Sequence, residues 1–261
     1  MDDGEVFYLE KGEGTPVIMV HFYGGNSWWY CRVLDTFAKR HKVYVLDLPG
    51  FGRSEEPPLP YTVPDMADAL KEFMDRLHIG TAHLLGIGGG AMTLVHLASS
   101  WPSRVQKLAL EVLPHWTRPE GKSLWVDKFR HMVDEHELPI PMAQWPENLR
   151  QSFPGLTRDQ RSIAIRRMDD DFSEHGRWWV TLLKVGQLRY DTNLRLHLIQ
   201  APTLLVNGES AGEHLRRRED AVTKAIKGSR LEIVPRSDFP SFFQQPDLYS
   251  ELVLDFLETR V

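Results

Sequence analysis

The sequence predicts an α/β protein built on a mostly parallel central sheet flanked by helices. Three observations predict it. Short apolar runs rich in β-formers recur along the 261 residues, each bounded by turn residues. Longer amphipathic stretches of helical period separate them, the alternation expected of βα units. A turn made almost wholly of glycine, "LLGIGGGAMTLVHLASSWP" from Leu84 to Pro102, joins one run directly to a helix.

In chain order the expected strands are "VFYLE", "PVIMVHF", "KVYVLDL", "AHLLGI", "KLALEVL", "PTLLVNG" and "RLEIVPR". Before "AHLLGI", the residues Met66, Leu70, Phe73, Met74 and Leu77 recur at helical spacing, with Thr62 placed to cap and Pro64 in the first turn. "PDLYSELVLDFLE" makes the closing helix. The alternation breaks between Pro114 and Ile199, where no convincing strand occurs and five of the eight tryptophans fall: Trp116, Trp125, Trp145, Trp178 and Trp179. Thr157 and Gln160 fit a capping box, so this stretch reads as a helical insertion rather than a loop. The expected organisation is a core of residues 1–113 and 200–261 with a helical cap over residues 114–199. The cap is a natural lid, although a satellite cluster of core aromatics accounts for at least half of such rings.

Composition excludes several classes. A formal charge of −5 spread without long runs of one sign leaves no nucleic-acid footprint and no polybasic membrane surface. The acidic start "MDDGEVFYLE" has no apolar signal-like run, and no stretch approaches the roughly 20 apolar residues that span a bilayer. A cytoplasmic protein, monomer or homodimer, is expected. The single cysteine, Cys31, has no internal disulfide partner. With no H-E-x-x-H pair and no cysteine cluster, neither a metal nor another cofactor is expected.

The glycine turn admits two readings. Gly86, Gly88 and Ala91 satisfy G-x-G-x-x-A after a strand, with Glu111 ending the next strand where a ribose-binding acid would lie; this is the dinucleotide fingerprint. It begins about 80 residues into the chain, after two strands whose own turns the dinucleotide fold does not explain. "VIMVHFYGGNSWW" resembles the His-Gly loop of the α/β-hydrolase superfamily, and "VYVLDLPGFGRSEEP" is very close to that superfamily's D-x-P-G-x-G-x-S turn. In the same order follow "AHLLGIGGGAMTLVHLASSWPSRVQKLALEV", the insertion, "APTLLVNGESA" and "RLEIVPRSDFPSFFQQPDLYSELVLDFL". The chain therefore resembles the cap-bearing branch of esterases, epoxide hydrolases and C–C hydrolases. That resemblance implies the α/β-hydrolase fold with a helical cap inserted after the family's sixth strand. It also implies structural roles for His21, Asp47, Arg53 and Ser54, which hold the turns.

At the reactive positions the sequence departs from the family. Gly88 stands where G-x-S-x-G carries its serine, Ala211 where the late acid is expected, and Phe239 where an ungapped alignment puts the histidine. Glycine has no nucleophilic atom, so no acyl-enzyme is expected. The resemblance leaves the backbone N–H groups of Tyr23 and Gly89 as oxyanion-type donors, with Phe22 replacing the loop's usual glycine. Glu111, at the place where some members carry the acid, is a candidate acid/base group, as are His115 and Asp238. Each also has an ordinary structural reading, since a lone histidine or carboxylate is more often satisfied by hydrogen bonds than catalytic. Gly88, Phe22, Trp116, Trp178, Trp179 and Phe239 are expected to line the site for an apolar or aromatic small molecule. The expectation for function is non-hydrolytic, cofactor-independent chemistry: cyclisation, isomerisation or lyase-type elimination. The alternatives are a catalytically dead ligand-binding protein and an NAD(P)-dependent oxidoreductase.

Overall fold

The structure is a computed structural model, which describes residues 4–58, 61–114, 157–159, 162–164, 166, 187, 189–210 and 212–259. All seven strands expected from sequence form: β1 (Tyr8–Lys11), β2 (Pro16–Val20), β3 (Lys42–Leu46), β4 (Ala82–Ile87), β5 (Val105–Glu111), β6 (Thr203–Gly208) and β7 (Arg230–Val234). They make one sheet in the order β1-β3-β2-β4-β5-β6-β7, parallel throughout except for β1, which runs antiparallel to β3. Residue 114 thus follows the fifth of the seven strands, one fewer than the family's count suggested. The inner strands are near-continuous apolar runs because helices cover both their faces. Val17–Val20, Leu84, Leu85, Leu108, Leu110 and Leu204–Val206 are all buried.

The helices are α1 (Leu34–Ala38), α2 (Val63–Arg76), α3 (Gly89–Ser100), α4 (Asn193–Leu196), α5 (Gly212–Ala225), α6 (Ser241–Gln244) and α7 (Pro246–Glu258), with a short 3₁₀ helix at Ser27–Arg32. The expected start of α2 is present. Asp65 N–H donates to Thr62 Oγ1 at 3.4 Å, the Thr62 N–H donates to the Asp65 carboxylate at 2.7 Å, and Pro64 sits in the first turn. Most of the expected cap lies outside the described residues. Of the Thr157/Gln160 pair only Thr157 is described, and residues 158–159, 162–164 and 166 are helical.

The strand order positions the site. From β2 the chain passes to β3 on one side, then crosses back to β4 on the other. Loops leaving the carboxyl ends of β2 and β4 therefore diverge, and α/β sheets bind ligands at such a switch point. Here those loops carry His21–Tyr23 and Gly88.

Candidate active site

β4 ends at Ile87 and α3 begins at Gly89, so the chain turns on one residue, Gly88, with φ 56° and ψ −122°. Only glycine holds this conformation without strain. Space imposes the same choice: a Cβ on Gly88 would stand 2.9 Å from the Phe22 Cβ. A Cβ on Gly89 would enter the Tyr23 ring, and one on Gly90 would meet the backbone carbonyls of His21 and Val20. The glycines thus let α3 start hard against the end of β2. They serve close packing of α3 against the end of β2 and its loop.

The loop after β2 is held from below. The buried His21 ring approaches the Phe22 carbonyl through Nδ1 at 2.8 Å and accepts the Leu48 N–H at Nε2, 3.0 Å. Burial keeps the imidazole below its ordinary pKa, against the pull of Asp47, so it is a neutral buttress. Asp47 accepts N–H bonds from Ser27 at 2.5 Å and Arg53 at 2.9 Å, while Ser54 Oγ donates to its carbonyl at 2.6 Å. The D-x-P-G-x-G-x-S turn is therefore a structural knot. Tyr23 lies stacked on Phe51, and its hydroxyl is 3.0 Å from that of Thr93 in α3. Gly89 opens α3, where N–H groups have no acceptor within the helix.

Glu111 ends β5. Its backbone carbonyl accepts the Gly88 N–H at 3.1 Å, and its Oε1 accepts the Ser241 N–H at 2.5 Å. The carboxyl is buried, and burial pushes its pKa up to about 8; the Ser241 N–H opposes this, and the charges of Glu219 and Asp238 reinforce it. Burial thus favours its protonated form. Asp238, in the turn after β7, is half-buried; its pKa is raised by burial and held back by the Phe239 N–H, which donates to Oδ1 at 2.8 Å.

Phe239 occupies the turn beside Asp238, and its ring meets that of Phe22 edge-on at 5.5 Å. Phe22 also meets Trp29 at 5.1 Å; Trp29 meets Trp28 and Phe243, and the Arg32 guanidinium stacks over Phe243. An aromatic cluster thus stands beside the elbow. The structure brings together Phe22, Tyr23, Gly88, Gly89, Glu111 and Phe239, with Asp238 on the adjoining turn. His115, Trp116, Trp178, Trp179 and Ala211 lie outside the described residues. Sequence reasoning missed Ser241, Gln244, Trp28, Trp29 and Phe243. The Trp pair in "GGNSWW" was a visible signal, whereas nothing local marks Ser241. Among the described residues, no group of three His, Cys, Asp or Glu side chains is arranged to hold a metal ion, and no helix is long and apolar enough to cross a membrane.

A single-residue elbow between a parallel strand and a helix, at the switch point of this sheet, defines the class, and the comparisons agree. Residues 15–215 match the alpha/beta hydrolase fold family, and the chain belongs to it. It is 28% identical to 2-hydroxy-6-oxo-6-phenylhexa-2,4-dienoate hydrolase of Comamonas testosteroni, over 100% of this chain and 93% of that one. It is 29% identical to 2-hydroxy-6-oxononadienedioate/2-hydroxy-6-oxononatrienedioate hydrolase of Klebsiella pneumoniae, over 94% and 88%. It shares its fold with the enol-lactonase of Burkholderia xenovorans LB400, with a TM-score of 0.79, 22% identity, and 98% of each chain covered.

These relatives overturn the expectation of non-hydrolytic, cyclase-, isomerase- or lyase-type chemistry, because they are hydrolases by name. A glycine at position 88 does not by itself exclude hydrolysis, since water itself can add to a carbonyl held among oriented donors.

Proposed function

We propose that the protein is a hydrolase of small apolar or aromatic carbonyl compounds (esters, lactones or activated ketones) that adds water directly to the carbonyl carbon. The observation that carries this reading is Gly88, which keeps the backbone form of a nucleophile-bearing elbow but offers no nucleophile. In this reading the family's triad is replaced, with Gly88, Ala211 and Phe239 at its three positions.

Asp238 takes a proton from water as the water oxygen bonds to the carbonyl carbon. Its partial burial strengthens it as a base. The charge that moves onto the carbonyl oxygen is received by the N–H groups of Tyr23 and Gly89. The adduct collapses by breaking the bond to the leaving group, which takes the proton back from Asp238. Phe22, Phe239 and Gly88 contact the apolar part of the substrate, and His115, Trp116, Trp178 and Trp179 are the candidates to enclose it.

The test is turnover of 4-nitrophenyl butyrate, dihydrocoumarin and a 6-phenyl-6-oxo-dienoate in ¹⁸O-water. The expected result is hydrolysis of at least one, with one labelled oxygen per product acid, no pre-steady-state burst and no adduct with a fluorophosphonate. Asp238→Asn is expected to lower kcat by about 100-fold or more. A burst with a covalent adduct, or binding of all three compounds without hydrolysis, overturns the reading.

A further inference from the structure

We infer that Glu111 is a positioning residue, whose side chain clasps the turn bearing Asp238 to the elbow at Gly88. This rests on the proposed role of Asp238 and extends it.

The turn that carries Asp238 has three moorings. Within itself it is closed by Gln244, whose Oε1 accepts the Asp238 N–H at 3.0 Å and whose Nε2 donates to the Phe239 carbonyl at 3.1 Å. On its amino side the Ser237 carbonyl accepts the Ser210 N–H at 2.8 Å, beyond the end of β6. On its carboxyl side the Ser241 N–H reaches Glu111 Oε1 at 2.5 Å. Of these three, the last leads to the elbow, because the same residue's backbone carbonyl accepts the Gly88 N–H. One residue thus joins the two halves of the proposed site, one through its main chain and the other through its side chain.

The surroundings fit a clasp rather than a group that meets substrate. The Glu111 side chain is buried, and the Ser241 hydroxyl as well as its N–H acts on the carboxyl. Among the described residues the groups whose charges act with it are Tyr30 from the 3₁₀ helix, Tyr249 from α7, Glu219 from α5 and Asp238 from the turn, none of them cationic. The next residue, Val112, has φ 47°, a left-handed conformation costly for a β-branched side chain. A strained residue persists where its neighbours are fixed by other bonds, as Glu111 is on both sides. Ionising Glu111 places an unneutralised charge in this pocket, so the clasp and the geometry of Asp238 become sensitive to alkaline pH.

Hydrogen exchange of the segment 237–244 reads the clasp without any substrate. In Glu111→Ala the Ser241 amide loses its acceptor, and its exchange rises about tenfold or more. In Glu111→Gln the side-chain oxygen still accepts, and protection returns. With 4-nitrophenyl butyrate, Glu111→Ala lowers kcat more than it changes KM, Glu111→Gln rescues it, and the alkaline decline centred near pH 8 in the parent is absent from Glu111→Gln. Unchanged exchange of the Ser241 amide in a folded Glu111→Ala protein overturns the inference, as does a decline near pH 8 that persists in Glu111→Gln. If none of the three carbonyl compounds is hydrolysed, the proposed function falls, and the exchange measurement still decides the clasp.

Discussion

Phe22 stands in the space that a side chain at position 88 would need, with its Cβ 2.9 Å from where a Cβ on Gly88 would lie. The two residues are complementary, so placing a serine at the elbow is more than a one-residue change. Gly88→Ser has to hold φ near 56° and push Phe22 aside. It is expected to destabilise the fold by about 1–3 kcal/mol. In Phe22→Gly/Gly88→Ser the Cβ that causes the clash is gone, so urea unfolding is expected to show a double variant more stable than the sum of the singles by at least about 0.5 kcal/mol. Strict additivity would mean that Phe22 yields freely and that the contact has no energetic weight.

Asp47 holds two turns at once through the N–H groups of Ser27 and Arg53. Hydrogen bonds to a charged acceptor contribute roughly 1.5–3 kcal/mol each, and their donors here are left unpaired when the carboxylate goes. Asp47→Ala is therefore expected to lose about 3 kcal/mol in chemical denaturation. Asp47→Asn, which keeps one good acceptor, should lose about half as much. Equal losses in the two variants would show that the side chain acts through packing alone.

What the sequence made legible was what local chemistry determines. All seven strands and the Thr62 cap follow from periodicity and capping residues, because each depends on neighbours close in the chain, whereas the knot at Asp47, which reaches Ser27 20 residues away, was legible only through the family resemblance. The site was only half legible. The elbow at Gly88 was visible because glycines at fixed spacing carry a backbone requirement. The partnership of Glu111 with Ser241 joins residues 130 positions apart through one backbone N–H, which any residue except proline supplies. No side-chain pattern signals such a bond. The expectation of non-hydrolytic chemistry, which the hydrolase relatives overturn, rested mainly on the residue at position 88, and one position does not determine a reaction class.

His83 contributes to the acid limit of stability. It lies at the start of β4 with its ring 5.7 Å from that of His41, and Lys107 is its partner on β5. Burial and the charges of His41 and Lys107 push its pKa down from 6.5 to about 4. The unfolded chain takes up a proton near pH 6.5 and the folded one only near pH 4, so stability is full above pH 6.5 and falls as pH drops through that window. Glu258, whose carboxylate lies 3.9 Å from His41 Nε2 and is bound by Arg40, tempers the effect on the His41 side. Allowing for solvent screening, the loss due to His83 is on the order of 2 kcal/mol by pH 4. His83→Gln is expected to flatten that limb in urea titrations across pH 4–7. An unaltered acid limb would assign it to the carboxylates instead.

Glu111 acts in the opposite direction. Its folded pKa of about 8 lies above the ordinary 4.5, so between these values the unfolded chain gives up a proton that the folded one keeps. Stability is thus highest below pH 4.5 as far as this group is concerned, and is lost as pH rises towards 8, by about 3 kcal/mol after allowance for relaxation around the charge. Glu111→Gln is expected to be the more stable protein at pH 8 and to show no alkaline slope from this group. Between pH 4.5 and 6.5 the slopes due to His83 and Glu111 have opposite signs and nearly cancel. Other groups titrate in the same interval, so the comparison is with the parent: Glu111→Gln should rise more steeply with pH than the parent there, and His83→Gln less steeply. If Glu111→Gln instead follows the parent's slope across this interval, Glu111 is ionised in the folded protein.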